Sequence, residues 1–396
     1  MRHPKIVIAA SVIGSGGLSS YLLTLANELS LRGAEVHLLS TNDSCDLYYK
    51  LGASVACHDL SRMPLSRKKV FAAAEFLNRT APDILLLNHV PLLHYALPLL
   101  GSEIKTVAVL HSDDPRFYRI ATLFSSRIFR WIAPAPALAN HCISYLPTRL
   151  SNRLRVIPHG VREDVFYPAE KSSKKTEGKI SFVGFLGETK GADLLPAITL
   201  EVLHHCPTTR LTLMGEGPLR SLLEQRFRDA GLADRCEFTG SVPRNTVAQR
   251  LRESDVFLLP TKLEGFGLTI VEAMLSGAVP VVSKLPGITD RIVQDGVTGF
   301  IEEIGDVPGF AAAVIKLLKD PALLRCMSEA ARTTAVAGYS TGKMIDAYQS
   351  LFEEDDDRED MPRCGALGWV RETMGELMKK GIKLKWLIDR AREIGN

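Results

Sequence analysis

Short apolar runs, each followed by a helical pattern, recur through both halves of the chain, and this alternation restricts the fold more than any other feature. In the first half the strand-sized runs are residues 6–10, 36–40, 84–87, 106–110 and 155–157. In the second they are 180–183, 211–214, 236–238, 256–259 and 279–282. Strands separated by helix-length segments cannot pair as tight hairpins. They lie side by side in parallel, with helices over both faces. A polar stretch, residues 170–178, separates the halves and predicts a linker. At 396 residues the chain is too long for one ordinary core. The expectation is an α/β protein with two doubly wound, Rossmann-like domains facing a central cleft. Their expected bounds are 1–169 and 170–338, with a crossover helix over 339–352 and a tail over 353–396. Ligands of such sheets collect outside the carboxyl ends of the strands, so the cleft is the expected site.

Composition excludes several classes. With 46% hydrophobic and 23% charged residues the chain reads as an ordered globular protein. A formal net charge of +3 is too small to argue for nucleic acid. The seven cysteines are scattered, without a Cys-x-x-Cys pair, which fits free thiols in a reducing cytoplasm. No secretory signal is expected, because the first strand begins almost at Met1. The most membrane-like stretch, 84–100, is broken by Asn88, His89, Pro91, His94 and Pro98, and reads as a buried strand, a turn and a short helix. In the tail, the acidic run 353–357 reads as a solvated break. Beyond it, 370–394 is helical in pattern, with Met374, Leu377, Met378, Ile382 and Trp386 on one stripe and Lys379, Lys380, Lys383 and Arg390 opposite. Such a helix packs on the body or a second subunit, or lies on an anionic membrane surface; the sequence leaves both open.

Several loops carry chemistry. In Glu264-Gly265-Phe266-Gly267-Leu268-Thr269-Ile270-Val271-Glu272, two glutamates flank a Gly-rich turn and the start of a helix. The glycines permit close backbone approach, and the helix start offers unpaired amides and partial positive charge to an anion. One stretch thus offers carboxylates for hydroxyls and amides for a phosphate, as a nucleotide-sugar requires. Residues 14–19 hold Gly14, Gly16 and Gly17 between the first strand and a helix. They fail the dinucleotide fingerprint, because Ser19 stands where its third glycine would and no acidic residue ends the second strand. A tight turn alone would explain two of these glycines. Lys190, in the loop after the first strand of the second half, can place a fixed charge on a diphosphate. Gly215, in Gly-Glu-Gly-Pro, follows the next strand, where the backbone can hold a base or phosphate.

Taken in order, these segments resemble the family 4 retaining glycosyltransferases of the GT-B fold. The likeness runs from the loop at 14–17 through 156–161, 182–191, 215–218, 264–272, 286–288 and 295–300, and covers roughly residues 5 to 352. It implies a sugar-transfer enzyme without a cofactor or bound metal. Its partners would be a UDP- or GDP-sugar donor and a carbohydrate or lipid-linked acceptor, in polysaccharide or glycolipid assembly at the inner face of a membrane. Glu264 resembles the family glutamate that lies against the donor sugar, and Glu272 the one that binds the ribose hydroxyls. The amides of Gly265, Phe266 and Gly267 would meet sugar hydroxyls, and those of Leu268 and Thr269 the diphosphate. Lys190 resembles the basic residue that neutralises the diphosphate. Gly16 and Gly17 resemble the acceptor-side loop, and His111 the active-site histidine near the donor sugar.

One departure matters. Where the family usually carries a second basic residue, directly after Gly184, this chain has Phe185. A phenyl ring cannot hydrogen-bond a phosphate. Either Arg244 or Lys262 compensates, or the leaving group is less well stabilised. Two alternatives therefore accompany the transferase reading: a non-hydrolysing nucleotide-sugar epimerase of the same fold, and a catalytically silent sugar-nucleotide-binding protein.

Overall fold

A computed structural model describes residues 3–14, 16–42, 51–169 and 177–358, with Gly368, Glu372, Gly375 and Glu376. The chain divides into two compact units, residues 1–157 with 345–396, and residues 158–344. Residues 158–169, which the sequence pattern assigns to the first half, group with the second unit.

The first unit holds strands β1 (Lys5–Ala10), β2 (Glu35–Ser40), β3 (Val55–Asp59), β4 (Ile84–Asn88), β5 (Lys105–Val109), β6 (Arg130–Ala133) and β7 (Leu154–Val156). They form one parallel sheet in the order β3-β2-β1-β4-β5-β6-β7. The second unit holds β8 (Lys179–Val183), β9 (Arg210–Met214), β10 (Cys236–Gly240), β11 (Val256–Leu259), β12 (Val279–Ser283) and β13 (Phe300–Glu302). Their parallel order is β10-β9-β8-β11-β12-β13. Strand order reverses at β1/β4 in the first unit and at β8/β11 in the second. Those are the points where a doubly wound sheet opens a crevice at its carboxyl edge.

Central strands are apolar along nearly their whole length because helices cover both faces. Every residue of β4 (ILLLN), β11 (VFLL) and β12 (VPVVS) is buried. Each large aliphatic side chain removed from water in this way contributes about 1.5–3 kcal/mol. Pro280 inside β12 breaks no ladder. The neighbouring amide of Val279 bonds toward the β11 side, through the Asp255 carbonyl at 2.9 Å, and pairing with β13 begins only at Val281.

Three strands, β3, β6 and β13, lie outside the sequence expectation. β3 is an edge strand with mostly exposed residues, and β6 and β13 are only four and three residues long, too short for a period to show. The acidic run begins at the end of the helix Thr341–Glu353, and Glu353, Asp355, Asp356 and Asp357 are exposed, but it is also anchored to the first unit. Arg130, Arg153 and Arg155 stand at the starts of β6 and β7 and draw it down. Arg130 meets Glu354 at 2.6 Å and Asp357 at 2.8 Å, Arg155 meets Glu354 at 2.9 Å, and Arg153 meets Asp357 at 3.3 Å. Arg130 is only 5% exposed, so its charge requires those carboxylates. The expected amphipathic helix beyond residue 370 lies outside the described residues, apart from Glu372, Gly375 and Glu376, which are helical. No helix among the described residues is long and apolar enough to cross a membrane.

Candidate active site

In the second unit, three loops leave the carboxyl ends of β8, β9 and β11 and lock together through their backbones. The loop after β8 donates from Gly184 N to the Met214 carbonyl at 3.0 Å and from Leu186 N to the Glu216 carbonyl at 2.9 Å. The loop after β11 donates from Lys262 N to the Thr189 carbonyl at 2.8 Å. The Thr261 hydroxyl donates to that carbonyl too, at 3.0 Å. The approach is close enough to dictate residue type. A Cβ on Gly215 would fall 1.9 Å from the Gly184 carbonyl oxygen, and one on Gly191 would fall 1.7 Å from that of Pro260. Glycine is the residue that lets these backbones touch.

The functional side chains ride on that frame. Lys190 closes the short turn Glu188–Lys190, and its Nζ donates to Glu264 Oε1 at 2.6 Å and to the Leu263 carbonyl at 3.3 Å. The Lys190 side chain is about one quarter exposed and that of Glu264 about one tenth. Gly265, Phe266 and Gly267 turn the chain into the helix Leu268–Ser276. Gly267 sits at φ 103°, caps that helix without a side chain, and leaves the amides of Leu268 and Thr269 as its opening donors. The Phe266 side chain is core, edge-on to His159 at 5.3 Å and to Tyr339 at 5.7 Å. Glu272 is buried further along the helix and ion-paired to Arg244 at 2.7 Å. Burial pushes the Glu272 carboxyl above the usual glutamate range, and Arg244 opposes that shift.

In the first unit, Gly16 caps the helix Gly17–Leu31 at φ 103° after β1. His111 follows β5. Its Nε2 lies 2.9 Å from Asn88 Oδ1, at the end of β4, and its ring meets Tyr21 and His89 edge-on at 5.1 and 5.2 Å. Asn88 is itself fully buried and donates to the Ala9 carbonyl at 3.2 Å, so β1 and β4 together fix the histidine. Gly16, Gly17, Asn88 and His111 thus all sit at strand ends around the first unit's switch point.

The predicted residues therefore form two sets, one at each switch point. Lys190, Gly215, Gly265, Phe266, Gly267, Leu268, Thr269, Glu264 and Glu272 share the second unit. Two partners escaped the sequence reading: Lys190 with Glu264, and Arg244 with Glu272. Neither spacing has a local period that could reveal it. Asn88 was legible in principle, as a polar residue closing an apolar run. The two cations offered as substitutes at Phe185 are both engaged, Arg244 with Glu272 and Lys262 with Asp193 at 3.2 Å. Phe185 itself is 54% exposed.

Comparison with known proteins agrees with this frame. Residues 15–165 match the model described as "Glycosyltransferase Family 4", and residues 166–334 match "Glycosyl transferases group 1". The chain is 26% identical over 375 residues to the N-acetyl-alpha-D-glucosaminyl L-malate synthase of Bacillus anthracis, covering 86% of this chain and 94% of that protein. It is 30% identical over 212 residues to the sulfoquinovosyl transferase SQD2 of Arabidopsis thaliana, covering 51% of this chain and 40% of that one. Among solved structures, TarM of S. aureus superimposes with a TM-score of 0.77 at 12% identity, over 89% of this chain and 100% of that chain. HepE of Anabaena, in complex with UDP and glucose, superimposes with a TM-score of 0.75 at 18% identity over the same shares. With both halves matched in order, on two parallel doubly wound sheets, the chain belongs to the family 4 glycosyltransferases of the GT-B fold.

Proposed function

We propose that this enzyme moves a sugar from a nucleotide-diphosphate sugar to an acceptor hydroxyl with retention of anomeric configuration, in polysaccharide or glycolipid assembly. The observation that carries the reading is the Lys190–Glu264 pair at the β8/β11 switch point, beside the open start of the helix that bears Glu272. In this reading the diphosphate draws Lys190 from Glu264 and meets the amides of Leu268 and Thr269. Glu264 is then released toward the sugar hydroxyls, and Glu272 takes the ribose. The bond from the anomeric carbon to the diphosphate oxygen breaks. The acceptor oxygen attacks on the same face, and its proton passes to the departing diphosphate. No protein nucleophile is needed; the chain supplies position and charge. His111, held by Asn88, would border the donor sugar, and Gly16 and Gly17 the phosphate from the acceptor side.

The names of the relatives support the donor class: HepE is described with UDP and glucose, and TarM with UDP and alpha-GlcNAc-glycerol. UDP-sugars are accordingly the first donors to test and GDP-sugars the second. Reversible attachment to an anionic membrane through the tail belongs to the same proposal. The epimerase alternative draws nothing from the relatives named above. A silent sugar-nucleotide binder is favoured by one observation, Phe185 in place of a cation. The test is nucleotide release from UDP- and GDP-sugars with and without carbohydrate or lipid-linked acceptors, with the product anomer read by NMR. Acceptor-dependent release with a retained anomer supports the proposal. An inverted product overturns the stereochemical part, and binding without turnover for every donor and acceptor establishes the silent reading.

A further inference from the structure

Glu272 lies on the helix Leu268–Ser276 and is 3% exposed. A carboxylate at that depth loses hydration and keeps its charge only beside a fixed cation. Arg244, the first residue of the helix Arg244–Glu253, provides it, with Nη2 2.7 Å from Glu272 Oε1. The guanidinium is held from a second side, 4.9 Å from the centroid of the Phe166 ring. Two other charged groups near this helix are committed elsewhere. Arg332, from the helix Pro321–Tyr339, donates to the Leu275 carbonyl at 2.7 Å. Glu264, from the preceding loop, is paired with Lys190. β11 and β12 bring only apolar residues, proline and one serine.

We propose that Arg244 is a positioning residue of the donor site: it holds Glu272 as an aimed carboxylate and thereby sets the preference for ribose over deoxyribose in the nucleotide. This rests on the reading above, in which Glu272 receives the ribose. Two neighbouring hydroxyls are two donors, and an ionised carboxylate accepts with both oxygens. A protonated acid turns one of those oxygens into a donor and matches a diol less well. Arg244 therefore acts through Glu272, and its loss reads out in binding and in its pH dependence.

The experiment is calorimetric titration of the full chain with UDP, GDP and their 2′-deoxy forms, at pH values from about 5 to 8, a range that begins near the ordinary carboxylate values and extends above them. The proteins are wild type, Arg244→Met, Arg244→Lys, Glu272→Gln and the Arg244→Met/Glu272→Gln double variant. Wild type is expected to show a smaller pH dependence than Arg244→Met, since Arg244 opposes the rise that burial imposes on the carboxyl, and to reject the deoxy form by about tenfold, as a site with an unpaired buried acceptor does. In Arg244→Met, affinity should fall several-fold from the alkaline to the acid end, because burial raises the carboxyl and the cation that opposed that rise is gone. Discrimination against the deoxy form should shrink with it. The double variant should lose the pH dependence, and Arg244→Lys should restore most of the affinity. If Glu272→Gln weakens binding while Arg244→Met binds like wild type at every pH, Arg244 has no such role and the ribose reading stands. If Glu272→Gln itself binds both forms like wild type, the ribose reading has failed first. Should Arg244→Met not fold in a thermal melt, Arg244→Gln, which keeps a hydrogen bond and lacks the charge, carries the same comparison.

Discussion

The glycine loops at the two switch points serve different ends. In the second unit, glycine is a matter of space as well as of backbone angle: at Gly191 and Gly215, both at positive φ, a side chain would collide with a neighbouring carbonyl at 1.7 and 1.9 Å. In the first unit, Gly16 has φ 103°, and none of the described residues comes within 4 Å of where its Cβ would lie. There glycine answers to backbone angle alone. The second-unit loops are tied to one another by backbone hydrogen bonds, the kind of fixed frame that electrostatic stabilisation requires.

The largest test of this contrast is chemical. Lys190→Ala and Glu264→Gln should each lower kcat by about 10²–10³-fold, the usual cost of one lost charge-stabilising contact; because Glu264 is mostly buried, Lys190→Ala should also lower the melting temperature, whereas Glu264→Gln keeps a hydrogen-bonding side chain in place. Wild-type turnover in either variant would remove the site from the β8/β11 switch point.

Folding is the next measure. Gly215→Ala should cost several kcal/mol or abolish folding, since a backbone carbonyl must move. Gly16→Ala should cost only about 1–2 kcal/mol, the strain of a left-handed residue. Urea melts that gave equal losses would erase the distinction between the two loops.

The acidic strap offers a third comparison, within the first unit. Truncation after Phe352 should leave Arg130 buried without a carboxylate, costing about 3 kcal/mol in a denaturant melt. The same contacts carry a pH signature. The arginines hold the Glu354 and Asp357 carboxyls below their ordinary values, against the opposing effect of burial. A depressed folded value adds stability above the unfolded carboxylate range and loses it as pH falls through the folded value. Acid melts should therefore destabilise the full chain from about pH 4.5 downward, and the truncated chain less steeply.

The smallest expected effect is a gain. Phe185→Arg places a cation where Phe185 is 54% exposed, and should lower the donor KM by a few-fold, within the roughly 1 kcal/mol of a screened charge contact. No change in KM would mean that the diphosphate lies out of reach of that position.

Strand and helix alternation was enough to name two parallel sheets, because buried parallel strands are continuous apolar runs of strand length. β4, β11 and β12 announce themselves; β3, at an edge and mostly exposed, does not. The loop glycines and both glutamates were legible for a related reason, since close backbone approach and a helix start impose residue types within a few positions. Tertiary structure alone decided the ion pairs. Lys190 and Glu264 lie 74 positions apart, and Arg130 and Glu354 224 apart. Local sequence reports what neighbours along the chain must do; a charge buried by folding finds its partner only where the strands have brought distant loops together.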